Sequence, residues 1–127
     1  MAGAAALASI SVIEEEDLVG NAARLGAFIK ARFLELQEKH PFIGHVRGEG
    51  LLIGVELVRD RKTKQPLDRA VCVRLFQEAL RRGLVSMVYS PHFRVNPPLT
   101  MTEAEAEKAL AILDEVFGLV TEDGSWR

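Results

Sequence analysis

Val46-Arg47-Gly48-Glu49-Gly50-Leu51-Leu52-Ile53-Gly54-Val55-Glu56-Leu57-Val58 is the stretch on which the fold turns. From Leu51 onward the side chains alternate, with Leu51, Ile53, Val55 and Leu57 on one side and Leu52, Gly54, Glu56 and Val58 on the other. Period two makes residues 51–58 a strand. Val46 and Arg47 are expected to begin that strand. Gly48-Glu49-Gly50 is then a bulge or tight bend within it, because glycine tolerates positive φ and close backbone approach.

Upstream, apolar residues recur at helical spacing over residues 3–39. Leu7 and Ile10 form one stripe, and Leu25, Ile29, Phe33 and Leu36 form another. The acidic run Glu14-Glu15-Glu16-Asp17 and the pair Gly20-Asn21 lie between the stripes, and glycine costs a helix about 1 kcal/mol relative to alanine, so a break is expected there. Pro41 pushes His40 out of the α region and stops the helix.

Downstream, residues 59–65 read as an exposed charged loop. Asp68 caps a helix whose apolar stripe is Cys72, Leu75, Phe76, Ala79 and Leu80, and Gly83 suits its C′ position. Residues 84–89 read as a strand, Ser90-Pro91-His92 as a turn and residues 93–96 as a second short strand, closed by Pro97-Pro98. Thr102 with Glu105 matches a capping box, and Leu110, Leu113, Val116, Phe117 and Val120 give the last helix its buried face, leaving residues 121–127 as a polar tail. The fold class expected is α+β: a small antiparallel or mixed sheet with helices on one face, preceded by a long, broken helix, in one domain spanning residues 1–127.

Composition narrows the function classes. A formal net charge of −2, with acids and bases interspersed, gives no footprint for nucleic acid or anionic lipid. No stretch approaches the roughly 20 apolar residues of a membrane span. Residues 2–8 lack the basic flank of a secretory signal, and a cytoplasmic location is expected. The single cysteine, Cys72, falls on an apolar helix face and reads as a buried reduced thiol. His40, His45 and His92 are too scattered for a metal site and read as surface or loop residues, and Glu14 to Asp17 reads as a solvated helix end. No phosphate-binding loop, paired Cys-x-x-Cys, His-Glu-x-x-His or Gly-x-Ser-x-Gly motif is present.

Two segments, Val46 through Leu57 and Arg94-Val95-Asn96-Pro97-Pro98-Leu99-Thr100-Met101-Thr102, resemble in order and separation the signatures of the small domain of class III, pyridoxal-phosphate-dependent aminotransferases. Residues 4–26 are similar to the helix that crosses from the large to the small domain in that family. The resemblance, nearest to the 4-aminobutyrate and ornithine aminotransferases, implies a carboxy-terminal small domain that supplies one wall of an active-site cleft. The parent would move an amino group from an amino acid or amine to a 2-oxoacid. A related aminomutase, or a free-standing regulatory or dimerisation module built from this domain, is the alternative.

The resemblance also assigns Arg94 to a substrate carboxylate, which agrees with its place on a short strand before a proline-stiffened exit. Arg47 is assigned mainly to local structure. The Schiff-base lysine, the acid facing the pyridinium nitrogen and the phosphate donors belong to the family's large domain. No catalytic, cofactor-binding or metal-binding residue is therefore expected in this chain, and pyridoxal phosphate is expected in the parent only. A homo-oligomer is expected, with Leu7 and Ile10 as the stripe left for self-association.

None of the five lysines, Lys30, Lys39, Lys62, Lys64 and Lys108, lies in the family's Schiff-base motif. Borohydride trapping of the chain with limiting pyridoxal phosphate is therefore expected to label lysines diffusely. One stoichiometrically labelled lysine on peptide mapping would contradict this.

Overall fold

The computed structural model describes residues 2–127. Helices α1 (Ala2–Glu15) and α2 (Leu18–Lys39) lead into strands β1 (Ile43–Glu49), β2 (Leu52–Asp60) and β3 (Gln65–Pro66). Helix α3 (Arg69–Arg81), strand β4 (His92–Val95) and helix α4 (Glu103–Glu122) follow. The sheet is antiparallel throughout. β2 is its centre, with β1 along one edge, and β4 and β3 share the other, where Leu57 donates its N–H to Pro91 and accepts from Leu67. This is the α+β architecture expected from the sequence.

Residues 46–58 do not form one strand. Gly48 pairs with Ile53 and Glu49 with Leu52, so Val46 and Arg47 belong to a strand of their own and Gly50-Leu51 is the turn of a hairpin. Gly50 has φ +52°, a left-handed conformation that glycine adopts without penalty. The turn also rests on α2: a Cβ built on Gly26 would lie 2.1 Å from the Gly50 carbonyl oxygen, so only glycine permits this approach. Lys30 adds a hydrogen bond from Nζ to the Gly48 carbonyl at 2.9 Å.

The inward side of the sheet carries Val46, Ile53, Val55, Leu57 and Phe93, all buried against Leu25, Ile29, Phe33 and Leu36 of α2 and Leu110, Leu113, Val116 and Phe117 of α4. Burying one such side chain contributes roughly 1.5–3 kcal/mol, which is why the apolar periodicities specify the architecture. Cys72 joins this core, and burial pushes its thiol up to about 11. The capping box at Thr102 forms as expected: Glu105 N–H donates to Thr102 Oγ1 at 3.3 Å and Thr102 N–H to Glu105 Oε2 at 2.8 Å.

Several expectations are corrected. The segment 84–89 is not a strand, because the Leu84 N–H closes the end of α3 on the Ala79 carbonyl and Met87 to Ser90 turns back. Of its apolar residues Val88 is fully buried, while Val85 is 78% exposed. His92 is the first residue of β4 rather than part of a turn. Asp68 occupies the N-cap of α3, but its carboxylate lies 3.6 Å from Arg59 and makes no cap hydrogen bond. Leu80, assigned to the α3 stripe, is exposed.

The carboxy terminus is not a free polar tail. α4 runs on to Glu122, Asp123 pairs with Arg74 at 2.6 Å, and Trp126 packs against the core beside Phe42. In the 59–65 connection Arg61 is no solvated charge either, since it donates to the backbone carbonyls of Ile43, His40 and Gln37.

His40 departs furthest from its surface expectation. It is 1% exposed at the end of α2, with rings of Phe42 and Phe117 beside it. Nδ1 lies 2.8 Å from Thr121 Oγ1 and Nε2 2.9 Å from Asp114 Oδ1, while Lys39 Nζ reaches the same carboxylate at 2.7 Å. Burial lowers the His40 pKa from its ordinary 6.5, against the opposing pull of Asp114. The native state thus favours the neutral ring, whose Nε2–H donates to Asp114 while Nδ1 accepts from Thr121. Stability from this site is complete above pH 6.5 and is lost as pH falls below it toward the lowered native value. Urea midpoints at pH 7.5 and pH 5.5 should show a drop that His40→Gln abolishes; an equal drop in the variant would assign it elsewhere.

α1 and α2 are separate helices, broken where Asp17 takes the left-handed φ of +47°. Glu14, Glu15, Glu16 and Asp17 are exposed as expected, with Asp17 paired to Arg24 at 3.1 Å. None of the described α1 residues is buried, and Leu7 is 68% and Ile10 52% exposed. Even a few hundred Å² of such surface is worth several kcal/mol at roughly 25 cal/mol per Å² if reburied, so concentrated chain should self-associate through α1. Sedimentation equilibrium should show a dimer that a chain starting at Asp17 does not form. A monomeric full chain would reject the contact.

Candidate functional site

The hairpin and β4 present one open sheet face. Arg47 of β1 pairs with Gly54 of β2, and Gly54 pairs in turn with Arg94 of β4. Directly opposed residues share a face, so the two arginines flank a glycine in one row, with Cα atoms roughly 10 Å apart across two strand spacings. The next row is His45, Glu56 and His92. The inward alternation of Val46, Val55 and Phe93 drives all six of these residues outward.

The two arginines are held differently. Arg47 lies across Gly54, where an added Cβ would meet its guanidinium carbon at 3.9 Å, and it is hydrogen-bonded to Glu56. Arg94 is exposed and has no ion-pair partner among the described residues. Its planar fork of donors is free to take a carboxylate bidentately.

The backbone under Arg94 is tied from both ends. Pro91 accepts from Leu57 before β4, and Pro97-Pro98 stiffen the exit. Asn21 Nδ2 donates to the carbonyls of Leu99 and Met101 at 2.7 and 3.1 Å, anchoring that exit to the first turn of α2. The sequence shows Asn21 only as part of a helix break. Its positioning role depends on a contact with residues far along the chain, and no local pattern signals it.

On the core side of β4, Phe33, Phe93, Leu110 and Leu113 line an apolar cavity of about 310 Å³, with Arg94 at its rim. Ser86 also lines it, and its Oγ is buried without a hydrogen-bond partner. The alternation of β4 points the Arg94 side chain toward the opposite, open face.

The chain matches the family model described as aminotransferase class III over residues 1–117. It belongs to that family. It is 42% identical over 118 residues to isoleucine 2-epimerase of Lentilactobacillus buchneri, a match covering 92% of this chain and 26% of that protein. It is 38% identical over 124 residues to taurine–pyruvate aminotransferase of Bilophila wadsworthia, covering 92% of this chain and 27% of the relative. Among solved structures, an amine transaminase from an uncultivated Pseudomonas species, described in its pyridoxal-phosphate-bound internal aldimine form, superimposes with a TM-score of 0.84. That match has 40% identity and covers 91% of this chain and 27% of the other. The chain thus spans about a quarter of the length of the curated relatives it matches. These relatives include an epimerase beside transaminases, a wider range of reactions than the 4-aminobutyrate and ornithine grouping expected from sequence.

The described residues do not fit pyridoxal phosphate. Lys30 is bonded to Gly48 and Lys39 to Asp114, while Lys62 and Lys108 are exposed. Lys64 borders a cavity, but the acid beside it, Glu56, is engaged by Arg47 and not placed to face a pyridinium nitrogen. No group of three or more His, Cys, Asp or Glu side chains suited to a metal is found among the described residues, and no described helix is long and apolar enough to cross a membrane.

Proposed function

We propose that this chain is the carboxy-terminal small domain of a pyridoxal-phosphate-dependent class III enzyme acting on amino acids or amines, with Arg94 as its substrate-carboxylate residue and the open sheet face as one wall of the cleft. The observation that carries this reading is the unpaired Arg94, set in the Arg47–Gly54–Arg94 row on a braced strand. A carboxylate seated on that guanidinium fixes the substrate at two points, which orients its amino group and Cα relative to the opposite wall. The cofactor, held by the remainder of such an enzyme, would supply the electron sink for chemistry at Cα. This chain's share is then binding and orientation.

Transamination of an amino acid with a 2-oxoacid is the reaction most of the family resemblance favours. The 42% identity to an isoleucine epimerase supports a second reading, inversion at Cα without an amino acceptor. Both need the same carboxylate clamp. Exchange of the Cα proton with solvent deuterium together with loss of chirality, in the absence of any oxoacid, would select the second.

In the enzyme containing this domain, Arg94→Ala should weaken use of carboxylate-bearing substrates by on the order of 2–5 kcal/mol in kcat/KM, because a desolvated carboxylate loses its charged partner. Simple amines should lose far less. Equal losses for both substrate types would make Arg94 structural.

A further inference from the structure

At the end of the open face away from the hairpin turn lies a second cavity, of about 390 Å³, bordered by Arg47, Arg61, Lys64, His45 and Glu56 over Val58. Three permanent cations face one carboxylate, so the cavity carries a net charge of +2 with His45 neutral. Two of the cations are immobilised. Arg61 spends Nε and Nη2 on three backbone carbonyls, leaving Nη1 without a partner among the described residues. Arg47 is held by Glu56.

Lys64 stands on a turn that is itself braced. Asp60 Oδ1 accepts the N–H groups of Lys62 and Thr63 at 2.6 and 2.8 Å, and Lys64 takes the left-handed φ of +58°. Its ammonium has no acidic partner within ion-pair distance among the described residues. The aromatic platforms that would mark stacked bases are missing from the lining. A concave pocket of two held guanidinium groups and one unpaired ammonium, with a charge of +2, suits a compact dianion better than a monocarboxylate. The space exceeds what a bare phosphate occupies, leaving room for a small ester.

We propose that the Arg47, Arg61 and Lys64 cavity binds the dianionic phosphate of a small phosphate monoester, at a site separate from Arg94. Glu56 opposes that binding by neutralising Arg47, which makes the site tunable in both directions.

The test titrates the 127-residue chain with inorganic phosphate and with glycerol phosphate at constant ionic strength, following amide NMR shifts at residues 44–64. Both should saturate, and acetate should not. Lys64→Gln should weaken binding roughly tenfold through loss of one charge-assisted contact. Glu56→Gln should tighten it severalfold, an outcome that mere loss of structure does not produce. Arg94→Ala should leave it unchanged, which separates this site from the carboxylate reading whichever of the two fails. Absence of saturation, acetate binding as well as phosphate, or indifference to both Lys64→Gln and Glu56→Gln would overturn the proposal, as would loss of binding in Arg94→Ala. Stronger retention on phosphatidate vesicles than on glycerol phosphate would overturn the small-ester source in favour of a lipid headgroup.

Discussion

The close approach of α2 to the hairpin turn, Gly26 against Gly50, is the constraint from which the rest of the arrangement follows. It sets the height of the helix above the sheet, and with it the room available to Leu25, Ile29 and Phe33 over Val46, Ile53 and Val55. A side chain at Gly26 would lift the helix and open the interior, where even a methylene-sized misfit costs about 1–3 kcal/mol, whereas one at Gly50 would meet only ordinary contacts with Ala22 and instead strain the left-handed turn. The same helix carries Asn21 at its first turn, so its height is transmitted to Leu99, Met101 and the exit from β4. Arg94 is thus placed by a helix that begins far from it in sequence.

A second tie closes the opposite end of the layer. His40, at the last turn of α2, bridges to Asp114 and Thr121 of α4, and Lys39 reinforces it from outside. Burial would raise the Asp114 carboxyl, but hydrogen bonds from Lys39 and His40 outweigh it and hold the group below the ordinary carboxylate range. The helix layer is clamped at one end by backbone contact and at the other by a satisfied polar network. Such a network specifies one packing where apolar contacts alone tolerate several.

Periodicity made the helices, β2 and most of the core legible in the sequence, since each apolar stripe reports a face that has to be buried. What escaped depends on partners distant along the chain. Gly48-Glu49-Gly50 reads equally well as bulge or turn, and only the pairing of Glu49 with Leu52 decides it. The β-branched and aromatic residues of 84–89 favour a strand, yet the N–H of Leu84 is already used by the end of α3. His40 looks like a loop histidine until α4 brings Thr121 and Asp114 to it. Of the candidate site, Arg94 is singled out by its motif, whereas the row it forms with Arg47 across Gly54 required the strand register.

Placing the open face and the core on opposite sides of the same strands separates two kinds of selection. An outward residue of β4 or the hairpin can change at little more than surface cost, while the inward residue beside it stays bound to packing. At Gly54 an added Cβ would touch the Arg47 side chain at 3.8–3.9 Å, so a larger residue there would displace that arginine without touching the interior. Variation on the open face can therefore accumulate on an unchanged scaffold. That suits a domain whose relatives, at about two-fifths identity, are named for epimerisation in one case and amino transfer in another.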